Sequence, residues 1–246
     1  MLQTGLGLCT YPLNRTLYIG SMKKRLTIYG LLFLLARCSP PGPPPRFSTS
    51  GNQVVQVLAL HADSVQARML LWERADSMTA WMCVDSFPVT LGRNGLAPGN
   101  DMPGRKIEGD GNSPAGVFRL SCVFSYHQLD DLRMPFERVD SNDLCVDDVQ
   151  SVHYNQLVDK DTVAIQDYQS FERMQRPDAQ YEYGVWVDYN STPVVSGNGS
   201  CIFLHIWKEP GAATSGCTAM SKESMLRLIY WLDEKKKPVL VQYAGE

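Results

Sequence analysis

A mainly β fold, an antiparallel sandwich or barrel-like domain, is what this 246-residue sequence predicts, and three features predict it. Short β-branched and aromatic runs recur from about residue 53 onward. Turns bearing glycine or proline separate them. Only one segment, near the C-terminus, carries clear helical spacing. Many short strands and few helices favour sheet packed on sheet, or a sheet closed on itself.

The expected elements run as follows. Residues 54–60 and 68–72 read as strands, then 81–84, a turn, and 87–91. Residues 117–120 form a strand after a long glycine-rich loop, and 168–174 read as a short helix. Residues 184–189 are aromatic and β-branched. In 200–207 Ile202, Leu204 and Ile206 point one way and Cys201, Phe203, His205 and Trp207 the other, the alternation of a strand. The clear helix starts at a Ser221 cap and lines up Met225, Leu228, Ile229 and Leu232 on one face. Lys235, Lys236 and Lys237 are expected at its end, where cations favour the dipole, before Pro238 stops it. Residues 239–243 are a last strand.

Charge and composition exclude several classes. At 44% hydrophobic the chain can bury a core. Lys and Arg total 23 against 26 Asp and Glu, so no basic footprint for nucleic acid exists. No apolar run reaches the roughly 20 residues of a membrane-spanning helix.

Residues 1–38 read as an N-terminal extension with an export signal. Lys23, Lys24 and Arg25 precede an apolar run over 26–36, of signal-peptide length, with Met22 or Met1 as the start. Leu35-Ala36-Arg37-Cys38 resembles a lipoprotein cleavage box, with Arg37 where a small residue belongs, so Cys38 is a possible lipid anchor. Residues 39–52 are a proline-rich linker. Residues 53–246 are the folded domain. Every acidic residue and all but five of the basic ones lie beyond Cys38, leaving an acidic mature part of 18 basic and 26 acidic side chains. The expected setting is the bacterial cell envelope or periplasm.

Chemistry must come from few residues. The histidines are His61, His127, His153 and His205. The domain holds Cys83, Cys122, Cys145, Cys201 and Cys217, an odd number, so at least one thiol is unpaired. Cys217 lies in a stretch of small residues, Gly211 to Ser221, just ahead of the helix cap. A turn there could aim successive N–H groups at one point, as an oxyanion requires. His205 ends a strand twelve residues earlier, and the turn at Lys208-Glu209-Pro210-Gly211 allows the chain to fold back. A thiol beside an imidazole is a nucleophile beside a base; a buried structural cysteine and a packing histidine is the plainer alternative. The loop from Gly92 to Phe118 is long and glycine-rich but lacks the Gly-Lys-Ser/Thr ending of a phosphate loop, and a plain surface loop is the simpler reading. No metal site is expected: Cys145-Val146-Asp147-Asp148 with His153 reads better as an exposed acidic turn than as a ligand cluster.

These pieces resemble the L,D-transpeptidase catalytic domain, the YkuD-type fold. His205 followed by Thr214-Ser215-Gly216-Cys217 matches the family's histidine and Ser/Thr-x-Gly-Cys signature, and Ser113-Pro114-Ala115-Gly116-Val117-Phe118 its upstream element. The likeness is closest to a divergent bacterial branch, in which stretches such as Gly92-Arg93-Asn94-Gly95 and Cys201 to Trp207 recur, and covers roughly residues 54–242. Two departures stand out: Ala219 replaces the usual Arg after the nucleophile, and Ile206 the usual Gly after the histidine.

The resemblance implies peptidoglycan stem peptides as substrate, Cys217 as nucleophile and His205 as general base and acid. It implies an oxyanion and substrate site near Gly216, Thr218, Ser215, Thr214 and Trp207, and no cofactor. A stem-trimming L,D-carboxypeptidase is the hydrolytic alternative. A non-catalytic wall-binding lipoprotein is another, and a structural protein with Cys217 in a disulfide, to Cys201 for example, a third.

Overall fold

The computed structural model describes residues 50–98 and 106–245. The export run, Cys38 and most of the proline-rich linker lie outside the described residues.

Twelve strands are described: β1 Gln53–Ala59, β2 Gln66–Glu73, β3 Met82–Thr90, β4 Gly116–Ser125, β5 Phe136–Arg138, β6 Asp143–Val146, β7 Leu157–Asp159, β8 Phe171–Arg173, β9 Tyr183–Val187, β10 Phe203–Ile206, β11 Thr218–Met220 and β12 Val239–Ala244. Nine form one sheet in the order β12-β1-β2-β3-β11-β10-β9-β4-β5, and β4 also pairs with β12. That last pairing closes eight strands into a barrel and leaves β5 outside. Most pairs are antiparallel, while β1–β12, β10–β11 and β4–β5 are parallel. The mainly β barrel expected from the sequence is therefore what forms.

The core follows the alternation of the strands. Val55 and Val57 of β1, Met69 and Leu71 of β2, Leu204 of β10 and Leu240 of β12 belong to one buried cluster with Met225, Leu228, Ile229 and Leu232. The first three of these come from α1 (Lys222–Trp231), capped by Ser221 and packed on β9 and β10, and Leu232 is its C-cap. On β10 the predicted split holds: Leu204 and Ile206 face this core, while Phe203 joins a second cluster with Phe124, Tyr181, Cys201 and Cys217. Both faces of β10 are thus buried, which is what makes it a rigid platform.

Three expectations are corrected. Residues 168–174 are not helical: Phe171–Arg173 is β8, which pairs with β6, as β7 does on the other side. A helix that short cannot sustain itself, whereas the open edge of β6 offers backbone partners. Residues 81–91 hold one strand rather than two. Asp85 and Ser86 pair in register with Leu71 and Leu70, the extra residue is Val84, bulged between Cys83 and Asp85, and Pro88 is tolerated because β3 meets β11 only at Thr90. The lysines do not sit in the last turn of α1, which ends at Trp231; Asp233 caps a separate 3-10 turn, Glu234–Lys236.

Candidate active site

Strands β10 and β11 run parallel, with Leu204 opposite Thr218 and His205 opposite Ala219. Extending that register by one residue puts Phe203 opposite Cys217. Side chains two apart share a face of a strand, so His205 and Cys217 point the same way, one step off opposite. The Phe203 N–H confirms the register by donating to Cys217 Sγ at 3.3 Å. Both side chains reach the floor of a cleft of about 460 Å³. Both are nearly closed off, at 4% exposure for His205 and 8% for Cys217.

Cys217 is a free thiol. Its neighbour Cys201 is bonded to Cys145, which ties the small β6–β8 sheet to the start of β10 and rules out the Cys217–Cys201 cystine considered from sequence. The other two free thiols of the described residues, Cys83 and Cys122, are half-buried elsewhere. The bond also removes Cys145 as a metal ligand.

The backbone around Cys217 is held from two sides. Thr214 Oγ1 donates to the Cys217 carbonyl at 2.6 Å and Ser113 Oγ donates to it at 2.9 Å. The loop carrying Ser113 is no plain surface loop, because Arg93 N–H donates to Thr214 O (2.9 Å) and Thr214 N–H to Leu91 O (3.0 Å), sewing it to the nucleophile turn. The Gly216 N–H is engaged by Thr214 Oγ1 at 3.1 Å. Among the described residues the Cys217 N–H has no protein acceptor.

His205 Nδ1 lies 2.8 Å from the carbonyl oxygen of Ile206. A carbonyl only accepts, so Nδ1 carries the proton and Nε2 keeps its lone pair. Tyr181 sets its ring edge-on to the imidazole, with centroids 5.1 Å apart. Burial pushes the His205 pKa down to about 4, against the opposing pull of the Ile206 carbonyl. Burial likewise pushes the Cys217 thiol up to about 12, against the Phe203 N–H. At neutral pH the pair is a neutral thiol and a neutral imidazole. Among the described residues no hydrogen bond joins them, and the thiol donates instead to Cys201 O at 3.5 Å. The resting sulfur is therefore the protonated thiol.

The cleft is lined by groups of both charges. Glu108, Asp147 and Glu172 line it together with Lys106, Arg93 and Arg176. Burial raises the pKa of Asp147 and Glu172. Glu108 accepts from Tyr154 Oη at 2.5 Å and from Ser200 Oγ at 2.6 Å. Such a cleft suits a ligand that carries both amines and carboxylates.

The model of the L,D-transpeptidase catalytic domain matches residues 60–241 of the chain. This protein is a member of the L,D-transpeptidase family. A comparison with curated proteins found no match.

Within this L,D-transpeptidase domain the sequence-predicted residues divide. Cys217, His205, Thr214, Ser215 and Gly216 share the cleft. Thr218 and Trp207 do not line it. Thr218 is buried and donates its hydroxyl to Gln242 at 2.6 Å, while the Trp207 N–H donates to Met220 O at 2.8 Å. The two departures from the family signature are accommodated. Ile206 serves through its carbonyl, which any residue supplies, and Ala219 is wholly buried opposite both His205 and Thr90. Sequence reasoning missed Tyr181, Glu172, Arg176 and Lys106 as cleft residues. They come from two stretches, Lys106 and residues 172–181, and nothing in their spacing marks them. His127 and His153 hydrogen-bond to Glu182 and to the Ile165 carbonyl, away from the cleft.

Proposed function

We propose that this L,D-transpeptidase-family domain cuts the peptidoglycan stem after its third residue through a thioester on Cys217, and hands the acyl group to an amine of a second stem to form a cross-link. The observation that carries the reading is a free thiol and a carbonyl-anchored imidazole on one face of β10–β11, at the floor of one cleft.

The chemistry starts from the neutral pair. His205 Nε2 takes the thiol proton as the sulfur attacks the carbonyl carbon of the third residue, so His205 is a general base and no standing ion pair is needed. The desolvated thiol is costly to ionise alone; passing its proton straight to Nε2 avoids that. The Cys217 N–H supports the oxyanion, a donor typically worth about 2.7–4 kcal/mol. His205 then returns the proton to the departing amine. An incoming amine completes the cross-link, and water in its place gives the trimmed stem of an L,D-carboxypeptidase. The substrate sits outside the cytoplasmic membrane, so the reading goes with export through residues 22–38 and anchoring at Cys38.

Incubation with purified tetrapeptide muropeptides, followed by mass analysis, tests it. Cross-linked dimer is the expected product. Trimmed tripeptide alone assigns the enzyme as a carboxypeptidase, and unchanged substrate leaves a wall-binding protein.

A further inference from the structure

Lys106 is a lysine closed off to 5% exposure in the wall of the catalytic cleft. Its stem lies over Gly199 and its ammonium ends at Gly216, the residue before the nucleophile. A Cβ added to Gly199 would come within 2.7 Å of Lys106 Cε, and one added to Gly216 within 3.4 Å of Lys106 Nζ. Side chains at either glycine would crowd this path, and both have positive φ, +91° and +156°.

The ammonium is anchored at one corner. Nζ donates to Asp110 Oδ1 at 2.8 Å, and Asp110 is itself held by the N–H groups of Ile107 and Asn112, each at 2.9 Å. An ammonium has three donors, and among the described residues Asp110 is its one acceptor. The other cations of the cleft are differently placed. Arg176 is paired with Asp178 at 2.7 Å and Glu172 at 3.4 Å. Arg93 is exposed and bound to Gly109 O at 3.1 Å, and Lys208 is exposed. Lys106 is the buried cation beside the sulfur with donors left to offer.

Building on the proposed function, we propose that Lys106 is the carboxylate-binding residue of this site, holding the terminal carboxylate of the departing amino acid. That carboxylate is separated from the scissile nitrogen by a single carbon, so when the carbonyl sits over Cys217 its charge must fall close to the nucleophile turn. A charge-assisted hydrogen bond in a closed cleft is among the strong ones. It would fix the leaving group and make the enzyme read a free chain end.

The test compares a tetrapeptide stem with the same stem bearing a terminal carboxamide, by kcat/KM for release of the last residue. The native protein is expected to prefer the carboxylate at least about tenfold, the effect of one charge-assisted contact. Removing Lys106 alone strands the half-buried Asp110 carboxylate, so the main variant is Lys106→Met with Asp110→Asn, its fold checked by thermal melting. It is expected to handle both substrates within about twofold of each other. Asp110→Asn alone and Lys106→Arg are expected to keep the preference. The assignment is overturned if the double variant still prefers the carboxylate, if Lys106→Arg loses the preference, or if Arg93→Met erases it instead. Equal native rates on the two substrates overturn Lys106 and leave the proposed function standing, whereas no turnover of either removes both.

Discussion

Ser113 Oγ donates a 2.9 Å hydrogen bond to the carbonyl oxygen of Cys217, across 104 residues of chain. The same hydroxyl accepts from the Gly92 N–H at 2.9 Å, and Thr214 Oγ1 adds a second donor to the Cys217 carbonyl. Two loops that are remote in sequence therefore clamp the peptide that carries the nucleophile.

Ser113→Ala breaks that clamp. One buried hydrogen bond is worth about 1 kcal/mol, more where a partner is left unmet. The variant is expected to lose about that much stability in urea melts and about tenfold in kcat. Ser113→Thr should restore both. An unchanged kcat would show the clamp to be irrelevant to the reaction.

The neutral resting pair fixes the pH behaviour. With His205 near 4, the acid limb of kcat/KM should fall near pH 4 rather than 6.5. With the thiol near 12, alkylation of Cys217 should keep accelerating from pH 7 to 9. A plateau across that range would mean a preformed thiolate–imidazolium pair.

Stability carries the same signature. Unfolded, His205 takes its proton near the ordinary value of about 6.5; folded, it does so only near 4. Between those values the unfolded chain binds more protons, so this group's effect is to lower stability as pH falls from about 6.5 to 4, by on the order of 3 kcal/mol, with no further change below. Urea midpoints across that range should show the loss, and His205→Gln should show less of it. Equal slopes in the two proteins would argue against a buried neutral imidazole.

The Cys145–Cys201 bond closes a loop of 56 residues and ends where β10 begins. Chain-entropy reasoning gives it up to about 4 kcal/mol. Replacing both cysteines with serine should cost about 2–4 kcal/mol. Turnover should slow too, because the Cys201 carbonyl and the Phe203 N–H hold the sulfur. Alkylation of the unfolded, unreduced protein should label Cys83, Cys122 and Cys217 but neither Cys145 nor Cys201; labelling of the last two would refute the pairing.

Much of this was legible in the residues. The alternation over 200–207 foretold which side chains of β10 join the main core and which take the opposite face, because strand periodicity is local. The Ser221 cap and the apolar stripe of α1 are local too. Barrel closure was not legible: the β4–β12 pairing joins residues more than a hundred apart, and no spacing encodes it. Residues 168–174 were misread since β8 exists only because β6 offers it an edge. At the site, Cys217 and His205 stand out by neighbourhood, whereas Lys106 and Tyr181 owe their roles to packing. The odd cysteine count required one free thiol, but which cysteines pair depended on the fold.

The central claim is that Cys217 carries the acyl group. Quenching the protein in acid during turnover of a tetrapeptide stem, then weighing it intact, reads this directly. The expected result is a single added mass equal to the acyl tripeptide, located on Cys217 after digestion and absent from a folded Cys217→Ala variant that no longer turns over substrate. Turnover by that variant, or an adduct on any other residue, would contradict it.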